Sequence, residues 1–550
     1  MATPHNESPL TALRDQVEAA SAALAEAAGG RTPNPTLERP KKAGFGDYST
    51  NAALLLAPVL GDKPRDVGET LREDLARRLG GRVDKIEIAG PGFLNLFLSD
   101  DWHHEAAGHI LAAGDAWGGG GADPVERVLI EFVSANPTGP MHVGHARNAA
   151  YGDALARLMG FRGHRVQREF YINDFGSQAR KLGESIQARA LGRDVPEGGY
   201  QGDYVVELAA EIPGAAELDV DEVARRGIEL MVQRCRASLD SFRVGFDSWF
   251  PEHTLHDGEP SLVQHAFDVL DRQGRSYRSE GALWLRTTAF GDDKDRVLER
   301  SSGDHTYFAS DIAYHQEKRE RGFDRLIDVL GADHHGYVGR MHAAFQALGG
   351  ESDRLELLIM QFVHLISRGE RSSMSKRAGQ FVTLDDLLKE IGVDAARWFL
   401  LARSHDTTID LDLDLAREES SDNPVYYVQY AHARISSVLE RLGAERVQAA
   451  LAATAVEAGV TMEPTERELV RKLLTFPEEV AEAESRRSPH RVAVYALELA
   501  QAFTAFYRDC KVVGAEPEPV ETSRIRLCVA ARSTIARALE LLGVEAPDAM

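Results

Sequence analysis

The chain has 550 residues, which at about 100 to 200 residues per domain is enough for several domains and excludes a single small binding module. Hydrophobic residues make up 43% of the chain and charged residues 27%, which excludes a largely disordered protein. The formal net charge of -23 disfavours non-specific adhesion to nucleic acid or anionic membrane over the whole surface, although a local basic groove is compatible with it.

An N-terminal α+β domain is predicted at residues 1–115. Apolar residues recur at helical spacing in residues 10–28 and again from Pro64, and residues 83–99 have the pattern of two short β segments broken at a Gly-Pro-Gly turn. A run of four glycines follows within residues 114–124 and predicts a flexible linker. We place the first domain boundary there.

A second domain with an alternating α/β pattern is predicted at residues 125–393. Residues 125–133 are typical of a buried strand, a polar turn rich in proline and glycine follows, and a long helix runs from about Gly144 to Met159. Residues 325–348 repeat the order of strand, turn and helix, whereas residues from about 180 to 295 indicate an insertion. The order predicts a Rossmann-like domain with a parallel sheet.

Residues 394–550 predict an α-helical bundle, because apolar residues continue at positions i, i+3 and i+4 almost to the C-terminus. The predicted fold class is therefore multidomain α/β, with a Rossmann-like parallel-sheet domain between an α+β domain and a helical bundle. Period-2 alternation around Asp410 and Asp412 is better explained by one apolar and one solvated face than by cation binding.

The three cysteines, Cys235, Cys510 and Cys528, are too few and too widely spaced for a disulfide framework or a thiolate zinc site. A reducing compartment fits this usage best. No segment resembles a signal peptide, and no apolar run is long enough to cross a bilayer. We therefore predict a cytoplasmic protein without membrane contact.

The first motif that indicates chemistry is HxGH, formed by His142, Gly144 and His145 where a strand meets a helix. Two imidazoles at a helix N-terminus offer donors to phosphate oxygens, and the glycine lets a nucleotide lie close to the backbone. The alternative is that these are ordinary surface or core histidines. The preceding strand, the turn, the following helix and a second motif favour nucleotide binding.

The second motif is SMSKR at residues 373–377, in a basic loop that contains glycine. Its Lys376 lies 234 residues after His142. A mobile ammonium suits the negative charge that develops on pyrophosphate when the α-phosphorus of ATP is attacked. Alone, a basic loop is more often a solvated surface. In this order after HxGH, the combination is specific.

Together these motifs resemble those of class I aminoacyl-tRNA synthetases, and further segments narrow the resemblance to arginyl-tRNA synthetases over essentially the whole chain. These segments are GFGDYSTNAALLLA (44–57), PGFLNLFL (91–98), EFVSANPTGPMHVGHARNA (131–149), YINDFGSQ (171–178), LGADHHGYV (330–338) and NPVYYVQYAHARI (423–435). The resemblance implies ATP-dependent formation of arginyl-adenylate, transfer of arginine to its tRNA, magnesium with the ATP, and activation that requires bound tRNA. We expect a monomer.

The resemblance also implies roles for individual residues. ATP would be bound by the HxGH residues and by Met374, Ser375 and Lys376, with His142, His145 and Lys376 catalytic. L-arginine would be bound by Glu131, Asn136, Tyr307 and Asp311. Carboxylate, phenol and amide acceptors around a planar guanidinium agree with selection of arginine over lysine. Without the resemblance, Tyr307 and Asp311 would be read as a surface pair. No resident metal site is predicted, since the adjacent histidines of GADHH point apart and lack a nearby partner.

For tRNA, the resemblance assigns the anticodon arm to the bundle and the outer corner of the tRNA to the N-terminal domain. The candidate residues are Tyr426, Gln429, Tyr430 and Arg434 in the bundle and Phe45, Asn51 and Asn95 in the first domain. Aromatic rings beside basic and amide groups suit unpaired bases. The alternative is that several of these side chains belong to the core.

One residue departs from the family pattern, because Ser373 stands where the first lysine of the second signature is expected. We hypothesise that Arg368, Arg371 or Arg377 supplies the missing cation. Two alternative functions stay open: a class I synthetase for cysteine or glutamate, and a catalytically silent paralogue that only binds RNA. The missing zinc thiolates and the pocket carboxylates disfavour the first, and intact His142, His145 and Lys376 disfavour the second.

Overall fold

A computed structural model describes residues 8–40, 42, 44–371, 382–453 and 459–550. The signature residues Ser373, Met374, Ser375, Lys376 and Arg377 therefore lie outside the described residues.

The N-terminal domain has the predicted helices and the predicted pair of strands. Its elements are α1 (Pro9–Ala27), β1 (Leu37–Glu38), β2 (Tyr48–Thr50), α2 (Ala52–Leu60), α3 (Pro64–Leu79), β3 (Val83–Ala89), β4 (Phe93–Leu98) and α4 (Asp100–Ala113). The four strands form an antiparallel sheet in the order β1-β2-β4-β3, and α3 packs against β3.

The glycine run after α4 is ordered, so the prediction of a flexible linker is wrong. Trp117 is 7% exposed, and its Nε1–H donates to the carbonyl of Leu473, 3.2 Å away in the helical bundle. The backbone N–H of Gly120 donates to the carbonyl of Phe161 at 2.8 Å. Docking of the run on two domains offsets the conformational entropy that its composition costs.

The central part of the chain begins with β5 (Arg127–Glu131), α5 (Val143–Arg162), β6 (Arg165–Ile172), α6 (Ser177–Ala190), α7 (Asp203–Glu211), α8 (Val220–Ser241) and β7 (Ser248–Pro251). It continues through α9 (Leu262–Arg272), β8 (Ser276–Ser279), β9 (Ala282–Leu285), β10 (Arg296–Glu299), α10 (Tyr307–Glu320), β11 (Arg325–Gly331), α11 (Val338–Ala347) and β12 (Leu355–Met360). Five strands form a parallel sheet in the order β12-β11-β5-β6-β7.

The predicted insertion at about 180–295 consists of two excursions rather than one. Strand β7 pairs with β6 in the parallel sheet, so the helices α6 to α8 form a first excursion and the antiparallel sheet β10-β9-β8 belongs to a second. The sequence order reverses between β5 and β11, and a crevice at the carboxyl ends of the strands is expected there.

A small sheet and the helical bundle complete the fold. The connecting elements are β13 (Val363–Ser367), β14 (Glu370–Arg371), α12 (Leu384–Leu401), β15 (Ile409–Asp412) and α13 (Leu413–Arg417), with strand order β14-β13-β15. The bundle contains α14 (Pro424–Leu442), α15 (Ala444–Ala452), α16 (Pro464–Leu474), α17 (Phe476–Ser485), α18 (His490–Asp509) and α19 (Glu518–Leu542). Within α12, Gly392 has a non-helical backbone (φ 77°, ψ 166°), which breaks the helix two residues before the predicted boundary at residue 394.

One hydrophobic core extends through the N-terminal domain, α5 and the bundle, with Leu56, Leu155 and Leu539 as fully buried members. A second core lies between the parallel sheet and α9 to α11, and a third lies among the helices of the first excursion. None of the helices in the described ranges combines the length and apolar composition needed to span a bilayer.

The docked glycine run generates a prediction for Gly118, which has φ +86° and lies so close to Phe476 that a Cβ would be 2.5 Å from the ring. Gly120 has a similar φ of +70°, but no heavy atom lies within 4 Å of the position of its Cβ. Alanine at either position costs about 1 kcal/mol for the left-handed backbone. Gly118→Ala adds a steric clash, so we expect it to lower Tm in scanning calorimetry clearly more than Gly120→Ala. Equal shifts would contradict a packed run.

Candidate active site

The two histidines of HxGH form the N-terminal cap of α5 at the carboxyl edge of the parallel sheet. The Gly144 N–H donates to Nδ1 of His142 at 3.1 Å, and the His142 N–H donates to Nδ1 of His145 at 3.3 Å. The two rings stack with their centroids 3.7 Å apart. A Cβ at Gly144 would lie 3.0 Å from the His142 ring, so any larger residue between the histidines would have to displace that ring by a few tenths of an ångström.

Burial and the hydrogen bond to Nδ1 determine the protonation state and the tautomer of His145. Burial, assisted by the neighbouring His142, lowers the pKa of His145 to about 3, so its ring is neutral at physiological pH. Because Nδ1 accepts a hydrogen bond, the proton of the neutral ring is on Nε2. His145 therefore presents an N–H donor beside the helix N-terminus, where the helix dipole favours an anion.

Backbone pairing joins the cap of α5 to the segment that follows the second signature. The Leu384 N–H donates to the Met141 carbonyl at 2.8 Å, and His142 and Thr383 form an antiparallel bridge. The sequence spacing of 234 residues between the signatures is thus compatible with direct contact of their flanks. On the other side of that signature, Arg371 pairs with Asp410 at 3.1 Å.

Glu131, at the end of β5, is part of a buried ion network. Lys318, 0% exposed, donates to Glu131 Oε2 and, at 2.8 Å, to Asp328, while Ser134 donates to Glu131 Oε1 at 2.8 Å. His315 contacts the second oxygen of Asp328 at 2.9 Å. Burial raises the pKa of Glu131 while Lys318 opposes the shift. Two carboxylates thus share the Lys318 ammonium, and Asp328 has a second partner in His315.

The predicted pair Tyr307 and Asp311 lies on α10, as its spacing implied, but the two side chains have different surroundings. Tyr307 is 66% exposed, with its hydroxyl 3.4 Å from that of Ser177, whereas Asp311 is enclosed and accepts a hydrogen bond from Tyr337. Burial raises the pKa of Asp311, and nearby histidines and Lys318 lower it. Asn136 donates its amide to Gln178 at 3.2 Å.

Glu252, a carboxylate directly after the edge strand β7, is a site residue that was not predicted from the sequence. Glu252 is 4% exposed, and burial, together with the charges of Asp311 and Asp174, raises its pKa to about 7. Groups at the carboxyl ends of parallel strands converge on one crevice, so the position of Glu252 after β7 was the signal that could have found it. Lys318, in the last turn of α10, gave no comparable signal.

The candidate tRNA residues divide into exposed and buried ones. The Tyr426 and Tyr430 rings are stacked, with their centroids 6.2 Å apart and an angle of 9° between their planes. The Arg434 guanidinium lies 4.7 Å from the centroid of the Tyr430 ring. Tyr430 is 41% exposed and Phe45 is 45% exposed.

By contrast, Gln429 and Asn95 are buried. The Gln429 amide donates to Asp394 at 2.8 Å and to the Glu545 carbonyl at 3.0 Å. Asn95 lies inside the N-terminal sheet, opposite Ser49 and Glu87. Asn51 accepts a hydrogen bond from the Thr36 N–H at 2.9 Å. Gln429 and Asn95 are therefore less accessible than Tyr430 and Phe45, and their proposed contacts with RNA stay predictions.

Comparison with known proteins gives matches over nearly the whole chain. Family models match residues 11–98 (Arginyl tRNA synthetase N terminal domain), residues 110–190 and 230–434 (tRNA synthetases class I (R), catalytic domain) and residues 428–550 (DALR anticodon binding domain). The arginine–tRNA ligase of Shouchella clausii is 43% identical over 560 residues, which cover 99% of this chain and 100% of that protein. The arginine–tRNA ligase of Bacillus subtilis is 43% identical over 554 residues, 98% of each chain.

The solved structure of Thermus thermophilus arginyl-tRNA synthetase has the same fold, with a TM-score of 0.74 at 24% identity over 98% of this chain and 99% of that one. The predicted fold class, a Rossmann-like domain between an α+β domain and a helical bundle, is confirmed.

The raised pKa of Glu252 predicts pH-dependent binding of a guanidinium ligand. Below a pKa of about 7 the carboxylate is protonated and no longer attracts a cation. We expect the Kd of L-arginine, measured by titration calorimetry, to rise about tenfold between pH 8 and pH 6. His145, with a pKa of about 3, does not titrate in this range. Glu252→Gln should flatten the profile, and a wild-type Kd that stays constant between these pH values would place Glu252 outside the binding site.

Proposed function

Since this chain belongs to the arginyl-tRNA synthetases, which use ATP to join L-arginine to its tRNA, we propose that both steps occur in the crevice at the carboxyl edge of the parallel sheet. In the first step the arginine carboxylate attacks the α-phosphorus of ATP, the bond to pyrophosphate breaks, and arginyl-adenylate forms. In the second step a hydroxyl of the terminal tRNA ribose attacks the arginyl carbonyl and AMP leaves.

ATP is proposed to bind at the N-terminus of α5. His142 and His145 donate to phosphate oxygens, while Gly144 leaves room for the nucleoside. Lys376, with Met374 and Ser375 beside it in sequence, stabilises the negative charge that develops on pyrophosphate. Arg368, Arg371 or Arg377 supplies the cation that Ser373 lacks. The observation that carries this proposal is the backbone pairing of Met141–Val143 with Val382–Leu384, which brings the flanks of both signatures together.

Magnesium is proposed to enter with ATP rather than to occupy a protein cage. Within the residues that the structure describes, no group of three or more His, Cys, Asp or Glu side chains is arranged to hold a metal ion. Such a cage is not needed, because Mg²⁺ commonly keeps several waters and binds through substrate phosphates.

L-arginine is proposed to bind between Asp311, Glu252 and Glu131. A guanidinium has five donors in a plane, and two carboxylates on different elements can accept from different edges of it. Tyr307 closes the outer side with its ring and hydroxyl, and Asn136 contacts the amino or carboxyl group of the ligand.

The anticodon arm of the tRNA is proposed to contact the aromatic surface of α14, which is formed by Tyr426, Tyr430 and Arg434. The outer corner of the tRNA is proposed to contact Phe45 of the N-terminal domain. Stacked rings with a guanidinium above them match the faces of unpaired bases. Asn51 lies near Phe45 in sequence and is a weaker candidate, because its side-chain oxygen already has a backbone partner. A cytoplasmic location and a monomeric state remain predictions.

ATP–pyrophosphate exchange with each of the twenty amino acids, with and without total tRNA, tests the proposed activity. We expect exchange with arginine alone and only when tRNA is present. Lys376→Ala should lower the exchange rate about 100-fold, because a cation at the developing charge is removed. Lys389→Ala, at an exposed lysine of α12, is the matched control and should retain the rate. Exchange with another amino acid, or none despite tRNA binding, would overturn the assignment.

Aminoacylation kinetics of Tyr430 variants test the tRNA surface. Stacking on one base contributes about 1 to 3 kcal/mol, so Tyr430→Ala should raise KM for tRNA about tenfold or more while KM for arginine changes little. Tyr430→Phe keeps the ring and should remain close to the wild type. An unchanged KM for tRNA in Tyr430→Ala would mean that this ring only packs against its neighbours.

A further inference from the structure

Arg147 is a buried cation that the proposed chemistry does not use. It lies on α5, two residues after His145, and is 1% exposed. Its guanidinium donates to the carbonyl of Gln361 at 2.7 Å and to the carbonyl of Ser404 at 2.8 Å. An arginine at this depth is expensive unless its donors are occupied, and here both strong contacts are to main-chain oxygens.

The two carbonyls belong to segments that are also tied to each other. Gln361 begins the turn between β12 and β13, and its N–H donates to the His405 carbonyl at 2.8 Å. The Ile409 N–H donates to the Phe362 carbonyl at 3.0 Å. Arg147 thus closes a three-way junction of α5, the β12–β13 turn and residues 404–409.

This junction determines where β13 starts relative to the histidines of HxGH. Strand β13 runs from Val363 to Ser367, towards the second signature, and the segment after that signature pairs with Met141–Val143. Both flanks of the signature are therefore anchored on the same helix, the near flank through Arg147 and the far flank through the cap. The planar fork of arginine holds two oxygens at a fixed separation, which a lysine ammonium cannot do.

On the basis of the proposed ATP site, we propose that Arg147 is a positioning residue for adenylate formation, which holds β13 and the α5 histidines in register without touching a substrate. Misplacement of a reacting group by about 1 Å costs about 100-fold in rate. The loss of this junction should therefore affect the ATP-dependent step and leave arginine recognition little changed, because Asp311, Glu252 and Glu131 lie outside the junction.

The test compares Arg147→Met with Arg162→Met by pyrophosphate exchange at saturating tRNA. Arg162, at the other end of α5, also donates to two carbonyls, those of Gly120 and Gly121, and serves as the matched control. Rates are divided by the number of active sites, counted from the burst of adenylate. We expect kcat/KM for ATP to fall about 100-fold in Arg147→Met, with KM for arginine within about threefold of wild type, and to change less than about threefold in Arg162→Met.

Arg147→Lys distinguishes positioning from folding. A lysine can donate to one of the two carbonyls, so we expect kcat/KM for ATP to be about tenfold higher in Arg147→Lys than in Arg147→Met. The Tm of both variants is measured alongside. If Arg147→Met does not fold, the lysine variant carries the same test. The inference fails if kcat/KM for ATP per active site matches that of Arg162→Met, or if KM for arginine and KM for ATP rise together. Arginine-independent exchange by the wild type would instead overturn the proposed function.

Discussion

The protein depends on burying one helix, α5, that carries polar and charged side chains into the centre of the molecule. A buried charge costs several kcal/mol unless partners compensate it, so each such side chain must find them. Asp153, 0% exposed, accepts from Arg397 at 2.6 Å and from Arg157 at 2.7 Å, and Arg397 also donates to the Leu542 carbonyl at the end of the bundle. Tyr151 donates to the Arg487 carbonyl between α17 and α18 at 2.6 Å. Since Arg397 and Arg487 come from two different segments outside α5, pairing the buried groups of α5 determines how the catalytic domain and the bundle pack.

The regular elements could be predicted from the sequence because their signals are local. Helical spacing from Pro64, the buried strand before HxGH and the alternation at Asp410 and Asp412 all correspond to elements of the structure. The glycine run could not be predicted, because its order comes from Trp117 and Gly120 contacting residues 41 or more positions away. The burial of Gln429 and Asn95 could not be predicted from their residue types, because burial is decided by tertiary packing. Likewise, the roles of site residues could be predicted only for residues that belong to a recognisable motif or family pattern.

The buried carboxylates of the candidate active site illustrate the same difference. Glu131 and Asp311 were identified from the family resemblance, yet the ionisation of each depends on groups that carry no motif. Lys318 lies between Glu131 and Asp328; burial lowers its pKa, but the two carboxylates outweigh burial and raise it. The Lys318 ammonium in turn reduces the mutual repulsion of the two carboxylates. Such a network could be recognised only after the fold had brought α10 next to β5 and β11.

The docked glycine run connects the N-terminal domain to the bundle by packed residues as well as by the backbone. Trp117 donates to the carbonyl of Leu473 in the bundle, and Gly120 donates to the carbonyl of Phe161 at the end of α5. These contacts restrict how Phe45 and Tyr430 can be placed relative to each other. On the proposed assignment of these two residues, an RNA would have to present its outer corner and its anticodon at a matching separation.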